Sequence, residues 1–223
     1  MPVAVLEYIP RIDQMKPPCL DTAVFGMSCF LSSEPQFGIT KGIWKTTVGY
    51  AGGRYDSPSY GDRGDHVQAV MVEYDPLTVS YGQLLEIFLL WQKPPQESGL
   101  PGGASYIFVK NEFEKRLAQA ARERYELCSG NSCETVLSVC KSFYEAESRC
   151  QKYFLRTFPL FVEEIRNFYP EEKDWVRSTL ATRLNGILGQ PSLSFSLPED
   201  IELYDLSEEA IRMLRHLTPQ PAP

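Results

Sequence analysis

The residue best placed for covalent chemistry is Cys29. It closes the stretch Thr22-Ala-Val-Phe-Gly-Met-Ser-Cys29, where a short apolar run that reads as a buried strand gives way to an amphipathic helix reaching Phe37, with Glu34 and Pro35 marking its first turn. A thiol at such a junction meets unpaired N–H groups and the positive end of the helix dipole, which favour thiolate, the nucleophilic form. A buried structural thiol is the alternative reading of the same pattern. The other cysteines, Cys19, Cys128, Cys133, Cys140 and Cys150, make no paired CxxC ligands, and only His66 and His216 add ring nitrogens, so no metal site is expected. No dinucleotide fingerprint or phosphate-binding glycine loop is present, which argues against a bound nucleotide cofactor.

Positioning such a thiol needs a scaffold. Residues 1–20 hold four prolines and read as an N-terminal arm. After the Cys29 helix, Gly42 to Gly49 alternates like a strand and breaks at Gly52-Gly53, and a polar loop runs from Arg54 to Val67. Gln68 to Tyr74 reads as a second strand and Ala104 to Lys110 as a third, with an irregular loop at 96–103 before it. Ser80 caps a helix from Tyr81 to Trp91, and Asn111 caps one running to about Cys128. Glu134 to Ser142 is expected to be the last strand and Glu145 to Thr157 a charged helix.

From Glu171 the composition changes. Trp175, Leu180, Leu184 and Leu188 fit one helix ending at Gly189, residues 190–198 read as a linker, and Asp205 with Glu208 could box the start of a last helix, Ser207 to Leu217. The expected division is an arm over 1–20, a catalytic domain over 21–170 and a helical C-terminal extension over 171–223. The order of elements predicts an α+β fold with helices on a mixed or antiparallel sheet.

Composition narrows the function. A chain of 223 residues, 43% hydrophobic, can bury one good core, so size is no obstacle to an enzyme. The net charge of −7 and the lack of a Lys/Arg cluster argue against nucleic acid. No apolar run approaches a membrane span, and the first 18 residues lack the pattern of a secretory signal, so a cytoplasmic location with reduced thiols is expected.

From Thr22 to about Tyr153 the chain resembles the peptide methionine sulfoxide reductase A family. The family motif Gly-Cys-Phe-Trp followed by a Glu-bearing helix stands here as Ser28-Cys-Phe-Leu31 with Glu34. Gly49-Tyr-Ala-Gly-Gly53 and Ser57-Pro-Ser-Tyr60 match the next block, then Tyr74-Asp-Pro76, Ser80-Tyr81, Leu84-Leu85, Phe143-Tyr144, Ala146-Glu147 and Gln151-x-Tyr153 follow in order. The resemblance implies a two-layer α+β sandwich of a mixed sheet packed with helices, in agreement with the order of elements. It also implies that Cys29 attacks a sulfoxide sulfur and that the oxygen must be protonated as it leaves.

The family's acid lies in Gly-His-Ala-Glu, and Asp65-His66-Val67-Gln68 stands there, so Gln68 occupies the acid position and donates a hydrogen bond without a proton to surrender. The family's second carboxylate falls near Pro101, before Gly103-Ala-Ser-Tyr106. Tyr60 and Tyr106 match its tyrosines and are expected to bind the sulfoxide oxygen, with His66 beside them, while Phe30 and Leu31 form the apolar wall. Cys150 replaces a common histidine and is the candidate resolving thiol. An external dithiol such as thioredoxin is the implied reductant. The expected function is thiol-dependent reduction of a free or peptidyl sulfoxide. The alternatives are a cysteine-nucleophile enzyme repurposed for another small sulfur metabolite, and a non-catalytic binding protein.

Overall fold

A computed structural model describes residues 8–92, 105–190 and 197–217. Six strands form its sheet: β1 (Asp21–Gly26), β2 (Ile43–Ala51), β3 (Val67–Tyr74), β4 (Tyr106–Phe108), β5 (Val136–Ser138) and β6 (Phe143–Glu145). Their order is β5-β4-β1-β3-β2-β6. The β4–β5 pair is parallel and the others antiparallel, so the sheet is mixed and the fold is α+β, as the sequence predicts.

A short helix, α1 (Arg11–Gln14), precedes β1, and α2 (Phe30–Gly38), α3 (Tyr81–Trp91) and α4 (Glu112–Ser129) follow β1, β3 and β4. The last two start where their caps require. Ser80 and Gln83 complete a capping box, and Asn111 accepts from the Glu114 N–H at 2.9 Å. Their apolar faces meet Phe25, Val48, Val70 and Val72 of the sheet in one core. Within it the Phe25 ring lies 5.1 Å from Phe37 and 5.3 Å from Phe88, which seats α2 and α3 on the central strand. The opposite face carries a smaller cluster around Ala51, Ala69 and Phe108.

Between 134 and 157 the structure departs from the expectation. The last strand shrinks to β5, and a further strand, β6, ends at Glu145, where the charged helix was expected to begin; its Phe143, Tyr144 and Glu145 pair with Ala51, Tyr50 and Gly49. A 3-10 turn over Ser148–Cys150 and a short helix, α5 (Tyr153–Arg156), replace the rest. The physical reason is Lys152, whose φ of 54° interrupts any helix through this region without a glycine or proline to announce it.

The remaining helices are α6 (Pro159–Phe168), α7 (Glu172–Trp175), α8 (Thr179–Leu188) and α9 (Glu208–Leu217). The single helix expected up to Gly189 is thus divided, because Ser178 turns its hydroxyl to the Ala181 N–H at 3.0 Å and starts a new one. Ser207, rather than Asp205, caps α9 by accepting from Ala210 at 3.2 Å, while Asp205 pairs with Arg11 at 2.8 Å. A second core of Leu155, Phe161, Trp175, Leu180, Leu184, Tyr204 and Leu214 forms here, and Ile12 of α1 joins it.

Every residue of α8 is buried, and the helix lies along the back of α2. The approach is backbone to backbone. A Cβ on Gly38 would stand 2.5 Å from the Thr182 carbonyl oxygen, and one on Gly186 would stand 2.4 Å from the Ile39 nitrogen. The loop expected at 96–103, most of the linker, the Pro-rich tail and the first seven residues of the arm lie outside the described residues. No helix among the described residues is long and apolar enough to cross a membrane.

Candidate active site

Cys29 is the N-cap of α2, extended at φ −142° and ψ 111°, and half-buried. Its carbonyl accepts from the Ser33 N–H at 3.1 Å, the Ser33 hydroxyl at 2.7 Å and the Ser32 hydroxyl at 3.1 Å, which fixes the turn that carries the thiol. Gln68 holds both sides of that turn from the neighbouring strand. Its main-chain oxygen accepts from Met27 N–H at 3.1 Å, and its side-chain Oε1 accepts from Phe30 N–H at 3.1 Å.

A backbone N–H can only donate, so this bond assigns the amide oxygen and leaves the Gln68 NH2 without a protein acceptor among the described residues. The residue at the family's acid position therefore caps α2 with one end and offers a donor with the other. The first-turn N–H groups of Leu31 and Ser32 likewise have no acceptor among the described residues, as expected at a helix start.

The aromatic wall begins at Phe30, which is fully buried, 5.8 Å from the Tyr50 ring and 6.1 Å from Tyr60. Leu31 packs from the edge of the main core. Tyr60 is 47% exposed, so it forms the solvent-facing lip of this wall. Sequence reasoning missed the carboxylate that ties this wall together. Glu147 accepts the Tyr50 hydroxyl at 2.8 Å through Oε2 and the Tyr60 N–H at 2.8 Å through Oε1.

Burial works against the charge on Glu147, but the Tyr60 N–H, the Tyr50 hydroxyl and nearby Arg149 together hold its carboxyl below the usual range. Burial, then Glu147, push the Tyr50 hydroxyl up. The Arg149 guanidinium stands 5.9 Å over the Tyr60 ring. Cys150 is buried beside Tyr50, and burial followed by Glu147 raises its thiol against the pull of Arg149. Its side chain bonds Arg149, and no hydrogen bond joins it to Cys29 among the described residues.

His66 and Tyr106 stand differently. His66 is buried, with Nδ1 accepting the Gly53 N–H at 3.1 Å and Nε2 facing the Tyr55 carbonyl at 2.9 Å. Both ring nitrogens serve the loop that carries Tyr60. Asp65 adds to this by accepting from Arg54 at 2.8 Å and Tyr55 at 3.1 Å. Tyr106 lies across from Gly26 and stacks on Phe108 at 5.8 Å, on the sheet face opposite the helices. Among the described residues no hydrogen bond or ring contact joins it to Tyr60 or Gln68, and Pro101 and Gly103 are outside them. No group of three His, Cys, Asp or Glu among the described residues is placed to hold a metal ion.

A cysteine at a helix N-cap, set beside the Phe30–Tyr60 wall on a mixed α+β sheet, is the arrangement of a thiol-based oxidoreductase. The chain belongs to the peptide methionine sulfoxide reductase family, whose model matches residues 21–176. It is 38% identical over 175 residues to peptide methionine sulfoxide reductase A5 of Arabidopsis thaliana, covering 75% of this chain and 67% of that one. It is 37% identical over 173 residues to the peptide methionine sulfoxide reductase of Drosophila melanogaster, covering 75% and 68%. The chain thus spans about two thirds of the length of these relatives. The fold is similar to methionine sulfoxide reductase A of Corynebacterium diphtheriae, with a TM-score of 0.53, 24% identity and coverage of 65% and 77%. It is also similar to reduced Mxr1 of Saccharomyces cerevisiae, with a TM-score of 0.56, 25% identity and coverage of 65% and 88%.

Proposed function

We propose that this chain reduces methionine sulfoxide, free or in peptides, with Cys29 as the nucleophile. The observation that carries the reading is the cap itself: Cys29 opens α2 beside the Phe30–Tyr60 wall, with Gln68 fixed on the next N–H. The methyl sulfoxide sits against Phe30 and Leu31, and its oxygen takes hydrogen bonds from the Gln68 NH2 and the Tyr60 hydroxyl. Tyr106 is the third candidate donor and His66 positions the loop. Cys29 attacks the sulfoxide sulfur, the oxygen passes to the cysteine, and methionine leaves with Cys29 as a sulfenic acid.

A second thiol then attacks the sulfenic sulfur, releasing water and forming a disulfide. Cys150 is the candidate within the chain, and an external dithiol of the thioredoxin type in the cytoplasm reduces the product. With glutamine in place of the acid, proton delivery falls to a tyrosine or to water, which makes the enzyme slower than one with a carboxylic acid by about 10²–10⁴-fold. The test is turnover of a peptide methionine (S)-S-oxide with dithiothreitol. Reduction that disappears in Cys29→Ser is the expected result, and no turnover of either epimer overturns the reading.

A further inference from the structure

Beside the Phe30–Tyr60 wall stands a positive charge that takes no part in breaking the S–O bond. Arg149 is exposed, and its guanidinium lies 5.9 Å from the centre of the Tyr60 ring, within cation–π range. Tyr60 in turn stacks on Phe30, the residue after the nucleophile. Some other arginines are neutralised by direct pairing, such as Arg177 with Glu145 at 3.0 Å and Arg156 with Glu172 at 2.9 Å. Arg149 makes no ion pair among the described residues. Glu147 lowers the local charge, yet both its oxygens are already held by Tyr50 and Tyr60. The Arg149 fork also bonds the Cys150 thiol, and its remaining donors can take a carboxylate from outside, while the Tyr60 face limits where it can point.

We propose that Arg149 sets substrate preference, selecting methionine sulfoxide that has a carboxylate close by, in an acidic neighbour of the peptide or in its own C-terminal carboxyl group. The proposal rests on the reductase reading for the identity of the cleft. The chain as a whole, at −7, repels acidic peptides. A local cation at the lip is what makes an acidic sequence acceptable at this position. The guanidinium touches the substrate at its flank and takes no part in breaking the S–O bond.

The experiment measures binding, so it is independent of turnover. Fluorescent peptides carrying one methionine sulfoxide, flanked by Glu, Gln or Lys, are titrated against the Cys29→Ser protein, with and without changes at position 149. The Glu-flanked peptide binds about three- to fivefold more tightly than the Gln-flanked one, as fits an exposed charge pair. The preference disappears in Arg149→Met, reverses in Arg149→Glu and persists in Arg149→Lys. It also collapses between about 0.01 and 1 M salt, as the Debye length falls from about 30 to 3 Å. Equal binding of the three peptides, absence of binding, or a preference unchanged by Arg149→Met overturns the proposal. Loss of turnover in the wild type with the binding preference intact sinks the reductase reading instead.

Discussion

Helix α2 has two ends that the fold treats in opposite ways. At its start Cys29 is half-buried, and the helix's first N–H is held by one amide oxygen from Gln68. One turn further on, Glu34 is fully buried and every partner is in place. Its Oε1 accepts from Lys152 Nζ at 2.6 Å and the Thr46 hydroxyl at 2.9 Å, and its Oε2 accepts from Lys152 N–H at 3.2 Å and Asn185 Nδ2 at 3.1 Å. Lys152 Nζ also donates to the Thr46 carbonyl at 2.7 Å. Four segments, α2, β2, the turn before α5 and α8, meet at one carboxylate. A nucleophile must stay unpartnered to react, so the rigidity that aims it has to come from the part of the helix that does not.

That contrast makes opposite failures at the two ends. Cys29→Ser is expected to abolish sulfoxide reduction while chemical denaturation shifts by no more than about 0.5 kcal/mol, as for substitutions away from buried networks. Lys152→Met is expected to do the reverse in kind. It strands a buried carboxylate, at a cost of about 3–5 kcal/mol in denaturant titrations. The double variant Glu34→Gln, Lys152→Met removes both charges and should recover a large part of that loss. A double variant no more stable than Lys152→Met would show that the pair is not the source of the cost.

The two ends were also unequally legible. The front could be read because its signals are local: an apolar run, a cysteine and a helix start within a few residues. Even there the sequence showed Gln68 only as a missing acid. That its oxygen caps Phe30 depends on β1 and β3 pairing Gly26 with Ala69. Glu147 stood in plain view beside Ala146, but its bonds to Tyr50 and Tyr60 follow from β6 pairing with β2, and Glu147 itself was expected inside a helix. The rear was invisible, since Glu34 and Lys152 are 118 positions apart and a lysine carries no signal that it will be buried with positive φ. The break before α8 had a local signal, the serine at 178, which the apolar spacing from Trp175 to Leu188 masked.

Smaller changes sharpen the comparison. Gln68→Glu restores an acid at the front and is expected to raise turnover by about 10²-fold. The gain should grow as pH falls, because only the protonated carboxyl gives up a proton and the Phe30 N–H at that position favours the ionised form. An unchanged pH–rate profile would show that the acid is not limiting. Gly186→Ala loosens the rear, because the added methyl meets the Ile39 nitrogen at 2.4 Å and backbone must move. It is expected to cost about 1–3 kcal/mol.

The smallest effect concerns the lip. Glu147 is held below its unfolded value, so its contribution is complete above an unfolded pKa of about 4.3 and is lost as pH falls through the folded one. Acidification in that window releases the Tyr60 N–H and the Tyr50 hydroxyl together, and both belong to the front of α2 through Phe30. Hydrogen exchange should therefore speed up at Tyr60 below about pH 4 before it does at Ser33 or Thr46. Glu147→Gln should remove that pH dependence and leave the Glu34 network as it was. Simultaneous loosening of both sites on acidification would show that the two ends of the helix are one cooperative unit.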